Sequence, residues 1–241
     1  MRINKYLATC GLGSRRGVEQ IVLSGKVSVN GKVTTDLSTK ISDKDVVCVD
    51  QKPIRPDLFF KYFLVYKPVG YVCTNADDHA RKKIIDLDER LQNLSIVGRL
   101  DKESEGLVIM TNDGDFCQEY QHPLGGHEKE YIVEGCVISK DESESECLER
   151  LLRFFKCGCL LDGYKTKKAK IKVMAKRGSR LIFNIILKEG RNRQIRRMFS
   201  KAGLEVVALK RIRIAEAKLN NMLPGDLVAV EKDFFTSVDK V

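Results

Sequence analysis

Tryptophan is absent from this 241-residue chain, and histidine occurs only as His79, His122 and His127. The eight cysteines, at 10, 48, 73, 117, 136, 147, 157 and 159, never form a Cys-x-x-Cys pair. Cys157 and Cys159 stand one residue apart, with no second pair and no neighbouring histidine to complete a tetrahedral zinc site. Metal hydrolysis and Cys-His catalysis are therefore disfavoured, and the scattered thiols read as reduced and mostly buried. No glycine-rich phosphate loop of the Walker or dinucleotide kind is present. Long apolar runs are missing too: stretches such as Leu107-Val108-Ile109-Met110 fall far short of the roughly 20 residues a membrane span requires. The opening residues Met1-Arg2-Ile3-Asn4-Lys5 do not resemble a signal sequence. These absences lead to the expectation of a cytoplasmic chain with no metal site and no membrane contact.

What is abundant is positive charge. Lys and Arg number 43 against 33 Asp and Glu, a net +10. Position makes this more informative: residues 165–213 carry 17 basic residues against Glu189 and Glu205 alone, and residues 1–55 carry ten against five acids. Two basic regions flanking an acidic middle predict a bipartite grip on a polyanion, because cations that neutralise phosphates gain affinity by releasing counterions.

The first 55 residues read as a self-contained unit. Ile3, Tyr6 and Leu7 mark a short amphipathic helix that Gly11 can end. Ser14 is placed as an N-cap before Val18, Ile21 and Val22, and Gly25 can close that second helix. Valines then flank Asn30-Gly31, a strong hairpin signal, and Val46–Val49 reads as a further strand. The cations Arg2, Lys5, Arg15, Arg16, Lys26 and Lys32 lie where one face could form. Gln51–Asp57, with Pro53 and Pro56, reads as a linker within about 51–58. From Phe59 onward a second domain, 59–238, interleaves strands with a few helices: a buried-type strand at Phe63–Tyr66, others at Ile96–Val97, Leu107–Thr111, Tyr131–Val133 and Leu181–Leu187, and helices near Phe116–Gln121, Ser145–Phe155 and Arg191–Ala202. The fold class is α+β, with a mixed, mainly antiparallel sheet.

Two segments could carry chemistry. In Gly98-Arg99-Leu100-Asp101-Lys102-Glu103-Ser104-Glu105-Gly106 a charged loop bracketed by glycines joins two strands and places Asp101 on a rim held by rigid elements. An ordinary surface turn is the competing reading of that loop, and Glu103 and Glu105 read as solvated charges. In Gly190-Arg191-Asn192-Arg193-Gln194-Ile195-Arg196-Arg197-Met198-Phe199 the apolar stripe Ile195, Met198, Phe199, Ala202 faces a core. Four arginines at the start of that helix oppose its dipole and call for an anionic partner.

Residues 1–55 resemble the S-four-like (αL) RNA-binding domain shared by a ribosomal small-subunit protein and tyrosyl-tRNA synthetases, through Arg2-Ile3-Asn4-Lys5-Tyr6-Leu7, Ser14-Arg15-Arg16 and Gly25-Lys26-Val27-Ser28-Val29-Asn30-Gly31. The whole chain resembles the RsuA-type pseudouridine synthases of ribosomal RNA. Lys67-Pro68-Val69-Gly70, Gly98-Arg99-Leu100-Asp101, Thr111-Asn112-Asp113-Gly114, His122-Pro123, Lys129-Glu130-Tyr131, the arginine-rich segment 189–199, Leu209–Arg213 and Leu223-Pro224-Gly225 carry that likeness in order.

The resemblance implies cofactor-free isomerisation of a uridine: detachment of the base, rotation, and rejoining of carbon 5 to the sugar. It assigns Asp101 as the essential carboxylate, Tyr131 as the residue stacked on the flipped base and close to carbon 5, and Arg196, in preference to Arg191, as the partner of the aspartate. Leu187 would pack on the uracil, Arg99 would assist extrusion of the nucleotide, and Lys129 and Arg191 would line the substrate site. Arg193 and Arg197 join the N-terminal cations as RNA contacts. Ser104 stands where the family usually has threonine, and the spacer Leu124-Gly125-Gly126-His127-Glu128 departs from its pattern. The implied partner is ribosomal RNA; a monomer is expected, with no sequence feature that argues for it directly. A tRNA-directed enzyme of the same chemistry, or a non-catalytic RNA-binding or ribosome-assembly protein, remains an alternative at this stage.

Overall fold

The computed structural model describes residues 1–56, 59–75, 81–122 and 125–236. Asp57, His79, Pro123, Leu124 and the end of the expected 59–238 domain lie outside the described residues.

In the N-terminal unit α1 (Ile3–Thr9) buries Ile3, Tyr6 and Leu7. Ser14 caps a turn, its Oγ accepting from the Gly17 amide at 3.0 Å. The helix it was expected to start, α2 (Glu19–Leu23), begins only after that turn. Strands β1 (Val27–Val29) and β2 (Lys32–Val33) form the hairpin, with Asn30 and Gly31 both at positive φ as a two-residue primed turn requires. The predicted linker is a different matter. Lys52–Ile54 is a strand, β4, paired with β3 (Val47–Val49) through Asp50 and Gln51, both in the left-handed region. No Asn-Gly marks that turn, and Pro53 argued against a strand. It is tolerated because β4 is the edge of the order β2-β1-β3-β4. Helices and sheet close on Ile3, Leu7, Val18, Val22, Val27, Ile41 and Val47.

The second unit is built on a nine-stranded sheet among the described residues. Its strands are β5 (Tyr62–Lys67), β6 (Ser95–Val97), β7 (Glu105–Thr111), β8 (Lys129–Val137), β11 (Lys170–Arg177), β12 (Arg180–Leu187), β13 (Leu204–Ile214), β14 (Ala217–Lys218) and β15 (Leu227–Val230). A separate small hairpin is formed by β9 (Leu160–Leu161) and β10 (Tyr164–Lys165). The principal path runs β11-β12-β8-β13-β7-β5-β15, and only the β13–β7 pairing is parallel.

The apolar run of β5 is buried because both its faces are covered. Tyr62, Leu64 and Tyr66 pack with Phe116, Cys117 and Tyr120 of α3 (Gly114–Gln121), whereas Phe63 and Val65 face the larger core. That larger core takes Cys147, Leu151 and Phe155 from α4 (Glu144–Cys157) and Ile195, Met198 and Phe199 from α5 (Gln194–Lys201). Helix α4 starts at a reciprocal capping box between Ser143 and Glu146. Helix α5 starts three residues later than the expected span Arg191–Ala202, since Arg193 at the N-cap is left-handed with φ +49°. Arg191 therefore lies outside the helix, and only Arg196 and Arg197 stand in its first turn.

Candidate active site

The β6–β7 connection, the start of β8, the end of β12 and the entry to α5 meet around a cleft of about 820 Å³. Its lining includes Arg99, Asp101, Lys129, Tyr131, Leu187, Arg191, Arg193 and Arg196. The catalytic and substrate-binding residues expected from sequence thus converge, although they are drawn from four separate stretches of chain. Strand register explains part of this. Tyr131 pairs with Ile185 and Arg211, and Lys129 pairs with Leu187, so these side chains emerge beside one another along adjoining strands.

Asp101 sits on the loop before β7 with a side chain 28% exposed. Two guanidiniums approach its Oδ2: Arg193 Nη1 at 3.7 Å and Arg196 Nε at 4.0 Å. Both distances give attraction without a formed hydrogen bond, so the carboxylate keeps lone pairs available for reaction. Arg196 is held from its far end. Nη1 donates to Val206 O at 3.1 Å, and Nη2 donates to Glu103 O and Ser104 Oγ, each at 3.1 Å. Its Nε is buried and unsatisfied among the described residues. Burial and the neighbouring Arg193 both push the Arg196 guanidinium below its ordinary value, while Asp101 acts in the opposite sense. Glu103 is more than a solvated charge: it accepts from Arg193 Nη1 at 2.8 Å, and this bond lowers its carboxyl below the usual range.

Three side chains under this loop had been given no role from sequence. Arg211 is 2% exposed; its Nε donates to Leu107 O and its Nη2 to Gly98 O, both at 2.7 Å, tying the Asp101 loop to the sheet from beneath. Lys67 is fully buried, donates to Pro68 O and Tyr71 O at 2.8 Å, and is pushed down to about 8 by burial. Ser104, 1% exposed, is the hydroxyl that accepts from Arg196. A lysine closing an apolar strand and an arginine beside buried strand positions were the available signals. Gly106 makes the arrangement possible: at φ +110° it is in register with Arg211, and a Cβ there would lie 2.3 Å from the Arg211 carbonyl oxygen.

Further along, Arg191 stacks on the Tyr164 ring, 3.1 Å from its centroid, and buried Glu189 accepts from Lys167 N and Gln194 Nε2. Lys129 donates to His127 O, and burial lowers its ammonium. His127 stacks on Tyr120 with ring centroids 4.0 Å apart. Of the N-terminal cations Arg2, Arg15, Arg16, Lys26 and Lys32 are exposed, whereas Lys5 pairs with Asp115 of α3 at 2.7 Å. No group of three or more His, Cys, Asp or Glu side chains among the described residues could hold a metal ion. No helix of the described residues is long and apolar enough to cross a membrane.

An aspartate on a glycine-bracketed loop, flanked by two arginines over a cleft lined by a tyrosine and leucines, belongs to a recognisable class. The family of RNA pseudouridylate synthases matches residues 61–201, the S4 domain matches residues 1–47, and the chain belongs to the RNA pseudouridylate synthase family. It is a pseudouridine synthase. Among curated relatives it is 36% identical to ribosomal large subunit pseudouridine synthase B of Bacillus subtilis, over 93% of this chain and 90% of that one. It is 35% identical to the dual-specificity RNA pseudouridine synthase RluF of Escherichia coli K12, over 94% of this chain and 74% of the relative. A crystal structure of a pseudouridylate synthase superposes with a TM-score of 0.67 at 26% identity, covering 98% of each chain.

Proposed function

We propose that this protein converts a specific uridine of ribosomal RNA into pseudouridine in the cytoplasm, acting as a monomer, with Asp101 as the catalytic carboxylate and no cofactor. The observation that carries the reading is the convergence of Asp101, Tyr131, Leu187 and Arg196 on one cleft in a chain of this family. The bond from C1′ of the ribose to N1 of uracil breaks, the base turns, and C1′ bonds to C5; C5 loses its proton and N1 ends protonated. The Asp101 carboxylate drives glycosidic cleavage as nucleophile or base. Arg196 holds it in place, Tyr131 and Leu187 sandwich the extruded uracil, and Tyr131 assists removal of the C5 proton. Arg99 supports extrusion, a step costing a few kcal/mol from a duplex and less from a loop. Lys129 and Arg191 border the base and its phosphates.

Residues 1–55 act as the anchoring domain, with Arg2, Lys5, Arg15, Arg16, Lys26 and Lys32 on RNA, and Lys5 exchanging its exposed contact with Asp115 for phosphate. Residues 59–238 are the catalytic domain, and Arg193 and Arg197 extend its RNA face. Mapping pseudouridines in ribosomal and transfer RNA from cells with and without the protein tests the assignment. Loss of one or a few ribosomal sites is the expected result, and loss confined to transfer RNA contradicts it.

A further inference from the structure

A second concavity, of about 520 Å³, lies between the tip of the β9–β10 hairpin and α5, and it shares Arg193 and Arg196 with the catalytic cleft. Arg197 and Lys201 stand four residues apart on one face of α5, about 6 Å along its axis, and Arg193 at the N-cap leads into them. Ser200 adds a hydroxyl beside them. One acid is set into this groove. Asp162 stands at the hairpin tip in the left-handed conformation, φ +46°, and its Oδ1 meets Arg197 Nη2 at 2.6 Å. The Asp162 side chain is 84% exposed and that of Arg197 31% exposed. Lys201 reaches the same hairpin, donating to Leu160 O at 2.9 Å.

An exposed carboxylate on a small hairpin is a weak partner, since surface ion pairs contribute little and are screened by salt. A backbone phosphodiester likewise offers one negative charge on two non-bridging oxygens and can take a guanidinium in bidentate fashion, and its binding releases condensed counterions, a gain the intramolecular carboxylate does not provide. The groove and the cleft share Arg193 and Arg196 in their walls, so a strand whose uridine occupies the cleft can carry its neighbouring phosphates over α5. There they meet Arg193, then Arg197, then Lys201.

We propose that this groove is a seat for the RNA backbone flanking the target uridine, and that Asp162 occupies Arg197 in the free protein and is displaced when the strand binds. Asp162 then acts as an electrostatic latch: it lowers affinity for RNA by the amount of the pair that must be broken. This rests on the RNA-modifying reading above, and it adds which surface holds the strand and which residue opposes it.

The test is binding of an unmodified large-subunit ribosomal RNA transcript over a range of salt concentrations, by the full chain and three variants. Asp162→Asn removes the charge while keeping a residue that accepts positive φ; it tightens binding about two- to fivefold. Arg197→Ala weakens binding and flattens the slope of log K against log salt by about 1. In the Arg197→Ala background, Asp162→Asn gives no gain. Circular dichroism melts verify that each variant folds. A native affinity in the Asp162→Asn protein, or a native salt slope in the Arg197→Ala protein, overturns the proposal. A wild-type chain that binds the transcript in neither specific nor salt-dependent fashion and forms no pseudouridine in any ribosomal RNA sinks the underlying functional reading instead.

Discussion

The buried Nε of Arg196 faces Oδ2 of Asp101 across 4.0 Å and has no hydrogen-bond partner among the described residues. A buried donor left unpaired costs about 1–3 kcal/mol, and the nearest remedy is the carboxylate itself. Closure of that gap as substrate enters would join the orphaned donor to the carboxylate while charge is redistributed in the reaction. Catalytic contacts commonly tighten in this way on leaving the free state.

Arg196→Lys keeps the positive charge but loses the fork that spans Val206 O, Glu103 O and Ser104 Oγ. The expected result is a fall in kcat of about a hundredfold or more, with affinity for RNA within a few fold of native. Single-turnover rates alongside binding isotherms separate the two. A native kcat in the lysine variant would contradict the positioning role.

Tyr131→Phe preserves the ring proposed to stack on uracil and removes only the hydroxyl. General acid–base assistance is worth roughly 10² to 10⁴ in rate, so kcat drops by that order while KM changes little. Release of tritium from uridine labelled at C5 reports the proton step directly. Unchanged release would leave Tyr131 as a stacking surface alone.

Gly106→Ala tests the parallel junction of β7 with β13. The new Cβ would lie 2.3 Å from one backbone atom of Arg211 and 2.7 Å from another, and φ +110° is strained for any side chain. Backbone cannot yield as a flexible side chain can, so destabilisation of about 3 kcal/mol or more is expected from urea titration. A loss below about 1 kcal/mol would show that the junction adapts.

Lys67 gives a pH signature. Burial depresses its ammonium from 10.5 to about 8 in the folded protein, so between those values the unfolded chain binds a proton that the folded chain does not. Stability attributable to Lys67 therefore rises with pH over this window, and its desolvation cost is fully present below about pH 8. Relative to Lys67→Met, the native protein should gain on the order of 3 kcal/mol between pH 8 and 10.5, as read from urea midpoints. A flat difference would mean that the ammonium is not desolvated.

The parts of the fold legible in sequence are those whose signals are local. Asn30-Gly31 announced its hairpin, the stripe Ile195, Met198, Phe199, Ala202 announced the buried face of α5, and the continuous apolar character of Phe63–Tyr66 announced a strand covered on both sides. Strand β4 was hidden because a turn built from Asp50 and Gln51 carries no glycine and Pro53 is a strand residue only at an edge. The true start of α5 was hidden because nothing local marks a left-handed Arg193.

At the site, Asp101, Tyr131 and Arg196 were reached through motif order, and the cleft contains all three. Arg211 and Lys67 were not, because their roles depend on which carbonyl oxygens the tertiary fold brings to them. A buried cation satisfied by backbone leaves little trace in a charge count. The same applies to Asp162, whose meeting with Arg197 joins a hairpin tip to a helix 35 residues further along the chain.

The most direct test of the account is the Asp101→Asn protein. The substitution is nearly isosteric on a partly exposed side chain that accepts no hydrogen bond among the described residues, so folding and RNA affinity are preserved. Incubated with unmodified large-subunit ribosomal RNA transcript and read by base-specific chemical marking and primer extension, the variant should bind the RNA and form no pseudouridine, where the wild-type protein modifies it. Pseudouridine formation by the asparagine variant at a rate near that of the wild type would contradict the assignment of Asp101 and the mechanism built on it.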